Sequence, residues 1–279
     1  MLNTAISLGR AGMNVQFISE IALDQPGELI VNFLHDNNVC TTFLNRYTNG
    51  KTTLTLAFLN EQADASYSFY SDPPKDRFPG KLPTPQSGDI ILFGSFFSLY
   101  GDIHEKLKPF LSSARENNVQ IIYDPNFRKP HLPDLPNVLP LIRENISKAH
   151  IIRGSNEDFL HIFALENPSE VYDQIRINGE KVLIYTHSKE TVQIRTGNQV
   201  IFIPVPKIVP LSTIGAGDSF NAGLIYAFIK TGVVQHNISL LSVNDWEKIT
   251  ETAIRFSQNV CMSLENYISN DFAFSLKKW

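Results

Sequence analysis

The sequence predicts an α/β protein whose largely parallel sheet is covered by helices on both faces. Three observations carry this. Short apolar runs at 89–94, 119–123, 150–153 and 181–185 read as strands, and segments of helical character at 103–114, 141–147 and 157–165 separate them. Within 89–94 the run from Ile90 to Phe93 is continuously apolar, as in a strand buried on both faces. A small-residue turn, Gly215-Ala216-Gly217, joins an apolar run at 201–209 to a helix at 220–229, which carries Phe220, Leu224, Ala227 and Phe228 at spacings of four, seven and eight.

The remaining elements follow in order. Residues 2–11 have helical character and stop at Gly12, and 13–18 alternate as a strand. Pro26 and Gly27 open a helix with Leu29, Ile30, Phe33 and Leu34 on one face. Residues 53–59 and 67–70 read as strands joined by a polar turn at 60–64, and 73–88 as a Pro/Gly-rich loop. Residues 130–140 read as a proline-rich connection, 192–194 and 200–204 as a hairpin through Gly197-Asn198, and 245–264 as a helix.

At 279 residues and 43% hydrophobic content, one large domain spanning 1–279 is expected. Net charge is −4, from 24 basic and 28 acidic residues, and no Lys/Arg cluster suggests a nucleic-acid partner. No apolar run reaches the length of a membrane span, and no signal peptide is evident. Cys40 and Cys261 have neither metal-ligand spacing nor a disulfide framework, which fits a reducing compartment and a cytoplasmic location.

The chemistry concentrates at strand ends. The Gly215-Ala216-Gly217 turn places backbone N–H groups at a helix start, where unsatisfied amides and the positive end of the dipole attract anions. Small residues there let a phosphate approach the backbone. Asp218, beside such a cradle, has two readings: a general base for an attacking hydroxyl, or a helix cap. Asp124-Pro125-Asn126-Phe127-Arg128 follows the strand at 119–123, at a carboxyl end where open α/β sheets bind ligands. Its other reading is an Asx-type turn with Arg128 paired to a surface acid. Ser155 with Asp158 also reads as a capping box, and His187 as a solvated turn residue.

Thr213-Ile214-Gly215-Ala216-Gly217-Asp218-Ser219-Phe220 resembles the D-T-x-G-A-G-D-S-F motif of the PfkB (ribokinase-like) carbohydrate kinases. Asn3-Thr4-Ala5 with Leu8-Gly9 is similar to that family's N-x-A…L-G segment, and Asp124 to Arg128 match its D-x-N-x-R motif. Ser155 and Asp158 align with its N-x-x-E pair. The resemblance implies a ribokinase-like three-layer α/β/α fold with a mostly parallel central sheet and a small, incomplete β lid, to which 41–70 contribute strands. The implied activity is ATP-dependent phosphorylation of a sugar or sugar-acid hydroxyl, fructokinase-like or 2-keto-3-deoxygluconate-kinase-like. Asp218 is then the base, and the amides of Gly215, Ala216 and Gly217 form the anion hole. Asn3, Asn126 and Arg128 bind the sugar. Ser155, Thr186, Ser188 and Asn259 serve ATP, and Asp124 and Asp158 serve Mg²⁺, with a monovalent cation as a further candidate. The lid often pairs two subunits in the family, so a homodimer is the corresponding assembly.

The sequence departs from the family pattern in places. Ser212 stands where the family has Asp, Ser188 and Thr191 replace the glycines of T-x-G-x-x-G, and Tyr267-Ile268 replace a Gly-Ala pair. The family's Gly-Gly pair and its first strand would fall before Met1. These departures leave two alternatives: a truncated or degenerate relative that binds sugar or nucleotide without turnover, and a nucleoside kinase sharing the catalytic motif.

Overall fold

The computed structural model describes residues 1–59, 65–78, 80–187 and 190–276. The chain divides into two compact units: Met1–Pro83 with Ile208–Ala227 and Thr252–Trp279, and Thr84–Lys207 with Phe228–Glu251.

The first unit begins with α1 (Leu2–Arg10), followed by β1 (Val15–Gln16), β2 (Ser19–Ala22), α2 (Gln25–Asp36), β3 (Val39–Cys40) and β4 (Leu44–Tyr47). Ala5 and Ile6 of α1 form one buried cluster with Ile21, Leu34, Val39 and Leu44. β1 pairs with β3 and β2 with β4, both in parallel. The strand expected at 13–18 is therefore two residues long, and the chain re-enters strand at Ser19 to pair with β4. The helix expected at Pro26 is present, but its buried face runs through Gly27 and Leu34, and Leu29 is 71% exposed. Leu29 lies outside that face because the partly buried residues packing on the cluster are Ile30, Val31 and Phe33.

β5 (Lys51–Leu59) and β6 (Ala65–Asp72) form a two-stranded antiparallel ribbon. The polar turn expected at 60–64 lies outside the described residues. At the ribbon's base, Asp24 Oδ1 accepts from the Gly27 N–H (2.9 Å) and from Thr52 Oγ1 (2.6 Å), and its Oδ2 accepts from the Thr52 N–H (3.0 Å). The Thr52 hydroxyl and amide hold the Asp24 carboxyl below its ordinary pKa. One carboxylate thus caps α2 and fastens β5.

The second unit is built on a six-stranded sheet: β7 (Ile90–Gly94), β8 (Gln120–Asp124), β9 (Ile151–Ser155), β10 (Val182–His187), β11 (Thr191–Arg195) and β12 (Val200–Pro204). Its order is β12-β11-β10-β9-β8-β7, with β7 to β10 parallel and the β10-β11-β12 meander antiparallel. Each strand predicted in this stretch is present. The apolar run expected to extend to 209 ends as strand at Pro204, where Pro204 and Pro206 cut ladder donors. Helices α3 (Gly101–Glu116), α4 (Leu135–Lys148), α5 (Asn156–Phe163) and α6 (Pro168–Ile175) connect the parallel strands, since parallel neighbours need a crossover connection. The proline-rich connection is largely helical: α4 starts at Leu135, and Pro136 falls in its first turn, where a missing N–H costs nothing.

α7 (Ala216–Thr231) is buried on every face from Ser219 to Phe228, which explains why its apolar residues exceed a single stripe. α8 (Val243–Cys261) and α9 (Asn270–Leu276) complete the chain.

The ring of His150 accepts a hydrogen bond from the Ile121 N–H (3.1 Å), and burial, with Arg115 and Lys181 nearby, pushes its pKa down to about 4. In the unfolded chain the same ring titrates near 6.5. Between these values the unfolded state binds the extra proton, so folding stability should fall as pH drops from about 6.5 to 4. Urea unfolding across this range should show that slope, and His150→Asn, which keeps an acceptor without the titration, should flatten it.

Candidate active site

In the first unit the site residues gather where α7 begins. The Leu211 N–H bonds to the Cys261 carbonyl (2.8 Å), and Ser212 Oγ accepts from the Ile214 N–H (3.2 Å). Ser212 therefore secures the turn with an uncharged side chain, buried to 2% exposure. Gly215 has φ +82°, and a Cβ there would lie 2.3 Å from the Asn266 carbonyl oxygen. Only glycine satisfies both constraints. The turn then leads directly into α7 at Ala216, so Gly217 and Asp218 occupy its first turn, where helix amides point outward.

Asp218 is oriented through α1: its Oδ2 accepts from Asn3 Nδ2 (2.9 Å). Thr4 Oγ1 donates to the Asp218 carbonyl (2.9 Å). The structure thus brings Asn3 and Asp218 together from opposite ends of the sequence. Asp218 has its side chain 16% exposed, so it is oriented by neighbours and still accessible. Asn259 is engaged elsewhere: its Oδ1 accepts from the Ser269 N–H (2.9 Å) and its Nδ2 lies 3.5 Å from Ser269 Oγ, tying α8 to the start of α9.

In the second unit the parallel register sets Gly94 opposite Asp124 and Ser155 opposite Thr186, so the carboxyl ends of β7 to β10 share one edge. Asp124 is 2% exposed. Its Oδ1 accepts from the Asn126 N–H (3.1 Å), an Asx turn, and its Oδ2 from Arg153 Nη1 (3.1 Å). Arg153 Nη2 in turn donates to Thr186 Oγ1 (3.1 Å), which donates to the Gly154 carbonyl (3.3 Å). Asp124 and Thr186 are expected at this edge from the family motifs. Arg153, which links them, reads in the sequence only as the end of a strand. Its signal is a cation inside an otherwise apolar run, since a buried guanidinium needs a carboxylate partner.

Ser155 and Asp158 form a reciprocal capping box. Asp158 Oδ2 accepts from the Ser155 N–H (2.8 Å) and Oγ (2.6 Å), while Ser155 Oγ accepts from the Asp158 N–H (3.2 Å). Asp158 Oδ1 is buried and has no hydrogen-bond partner among the described residues. Arg128 is 42% exposed and lies 3.7 Å from Glu157. Asn126, at φ +42°, donates from Nδ2 to Ser95 Oγ (3.3 Å). Ser188 lies outside the described residues, and His187 is an exposed residue 3.7 Å from Glu190.

A small-residue helix start beside an oriented carboxylate, on an α/β scaffold, has the parts a phosphotransferase needs. The model of the pfkB family carbohydrate kinases matches residues 1–262, and the chain belongs to that family. It is a carbohydrate kinase, transferring a phosphoryl group to a sugar hydroxyl. A fructokinase of Rhizobium leguminosarum bv. trifolii is 28% identical over 229 residues, covering 81% of this chain and 69% of that one. A fructokinase from Vibrio cholerae O395, solved with fructose, ADP and calcium, superposes with TM-score 0.84 at 16% identity, covering 99% of this chain and 89% of that one. An aminoimidazole riboside kinase from Salmonella enterica, solved with aminoimidazole riboside and an ATP analogue, gives TM-score 0.82 at 16% identity, with the same coverage. These likenesses show that the fold is ribokinase-like. Among the described residues no helix is long and apolar enough to cross a membrane.

Removing the guanidinium should expose the importance of the buried pair. Arg153→Met should destabilise the protein by about 3–5 kcal/mol, because it leaves the Asp124 carboxylate buried and uncompensated. Combining it with Asp124→Asn should recover most of that loss in urea unfolding. Gly215→Ala should lower Tm as well, since strain and the clash with the Asn266 carbonyl coincide there.

Proposed function

We propose that the chain is a fructokinase-like enzyme that uses ATP to phosphorylate a sugar or sugar-acid hydroxyl, with Asp218 as general base. The observation that carries this reading is the Asp218 carboxylate, fixed by Asn3 at the first turn of α7. In the reaction the sugar oxygen forms a bond to the γ-phosphorus as its proton passes to Asp218, and the bond from phosphorus to the ADP oxygen breaks. The amides of Gly215 and Gly217 are assigned to the charge that builds on the phosphoryl oxygens, and Ala216, expected to share that role, has its N–H on the Thr213 carbonyl (3.2 Å) and holds the turn between them. Asn3, Asn126 and Arg128 are assigned to the sugar.

Mg²⁺ supplies charge neutralisation for the nucleotide phosphates when bound. Among the described residues no three His, Cys, Asp or Glu side chains converge on one point. Mg²⁺ keeps several waters and takes one or two carboxylates together with phosphate oxygens. The unpartnered Oδ1 of Asp158 fits such a role. Asp124 has both oxygens engaged by Asn126 and Arg153, so it contributes to the metal side through this network. Ser155 and Thr186 lie on the same sheet edge and are assigned to the nucleotide with Ser188; Asn259 is assigned to it from α8. A monovalent cation remains part of this reading.

The domain reading keeps 1–279 as one kinase domain with 41–70 as lid. On β5, Leu54, Leu56 and Phe58 point to one face of the ribbon and are 43%, 47% and 56% exposed. Such a face supports a homodimer formed through the lid. Leu56→Glu with Phe58→Glu should then shift sedimentation from dimer to monomer.

A riboside is the second substrate class, favoured by the structural likeness to the aminoimidazole riboside kinase. An ADP-release assay with fructose, 2-keto-3-deoxygluconate, ribose, adenosine and aminoimidazole riboside separates the classes. Fructose-dependent turnover supports the main reading, and turnover with a riboside alone replaces it. Asp218→Asn should lower kcat by about 10²–10⁴-fold and leave ATP binding by calorimetry intact. A variant with near-wild-type kcat would remove Asp218 from the base role.

A further inference from the structure

We propose that Ser95 is a positioning residue for the sugar: it holds the Asn126 amide so that the amide carbonyl accepts a hydrogen bond from a substrate hydroxyl. The inference rests on the kinase reading and adds a residue that lies outside the family motifs found in this sequence.

The first observation is conformational. Ser95 has φ 54° and ψ 177°, a combination that side-chain-bearing residues rarely adopt and that glycine adopts freely. Its partner Asn126 also has positive φ, at 42°. Asn tolerates this region, whereas serine has no such ease. The two residues follow β7 and β8, which are adjacent and parallel, with Gly94 in register with Asp124.

The second observation is the number of contacts that force this backbone. The Ser95 N–H donates to the Asp124 carbonyl (3.0 Å). The Ser95 carbonyl accepts from the Ser98 N–H (3.2 Å) and from Ser98 Oγ (3.0 Å). Ser98 is itself buried and accepts at Oγ from Asn145 Nδ2 (3.3 Å). The chain would follow this path whatever side chain stood at position 95. Glycine would follow it without strain, so serine sits here at a cost in stability, and what it adds is a hydroxyl.

The third observation is what that hydroxyl does. Asn126 Nδ2 donates to Ser95 Oγ at 3.3 Å. With Nδ2 on Ser95, Asn126 Oδ1 is left as an acceptor. Both residues are partly exposed, so that acceptor can reach a ligand. An acceptor is complementary to the O–H groups of a polyol, and the Ser95 proton is available as a donor to the same molecule.

The test uses Ser95→Gly, Ser95→Ala and Asn126→Ala in the full chain, with fructose and ATP as the varied substrates. Both serine variants lack the hydroxyl, and only alanine retains the strain. Ser95→Gly should therefore melt about 2–4 °C above Ser95→Ala. Both should raise the KM for fructose by roughly 3–10-fold and leave the KM for ATP unchanged. Adding Ser95→Ala to Asn126→Ala should cost nothing more, because the two act as one unit. A role in packing alone would track stability, so a Ser95→Gly enzyme with unchanged fructose KM overturns the inference, as do additive losses in the double variant. If the unaltered protein releases no sugar-dependent ADP, the kinase reading fails and takes this inference with it; full wild-type turnover with unaffected Ser95 variants overturns the inference alone.

Discussion

Asp124 cannot be buried at the end of β8 without a cation, and Arg153 on the neighbouring strand is that cation. The pair sits at 2% and 8% exposure, where an uncompensated carboxylate would be expelled or neutralised. Much of the carboxyl edge of the second unit's sheet depends on it. Arg153 reaches Thr186 on β10, Asp124 folds the Asx turn that sets Asn126, and its carbonyl receives the Ser95 amide. One guanidinium thereby ties together the ends of β8, β9 and β10, and Asp124 extends the network to β7.

The first unit solves a different problem, which is to present a carboxylate at a helix start without losing control of it. α7 is buried around its whole circumference from Ser219 to Phe228, so its axis is fixed by packing. The turn before it is fixed by Gly215 against the Asn266 carbonyl and by Ser212 on the Ile214 amide. Asn3 and Thr4 then act on Asp218 from α1, one on the side chain and one on the backbone. The orientation of the carboxylate is a product of long-range contacts, while its place on the helix is a product of local sequence.

That division explains what is legible in the sequence. The parallel strands and the helix at 220–229 announce themselves through continuous apolar runs and 3.6-residue periodicity, which are local properties. The motif around Gly215 is equally local, because its residue types answer to backbone geometry. Leu29 departs from expectation because the helix carries five apolar residues, Leu29, Ile30, Val31, Phe33 and Leu34, the cluster takes the last four, and pattern alone does not say which one turns away. The start of α4 is hidden because prolines read as breakers, although the first turn of a helix accepts them. Arg153 and Ser95 escape for a deeper reason. Their roles consist of contacts with residues 29 to 33 positions away in the chain, and no window of sequence contains both partners. The Ser155–Asp158 box is legible as a cap, and only the structure shows that capping uses one carboxylate oxygen and leaves the other unpartnered.

The β5–β6 ribbon has a consequence of its own. Among the described residues its strands pair with each other and with no further strand, and Asp24 fastens it at Thr52 through both backbone and side chain. The Thr52 amide should therefore exchange slowly with deuterium, because the Asp24 carboxylate holds it. One side chain serves two elements, so losing it would loosen the start of α2 and the base of the ribbon together.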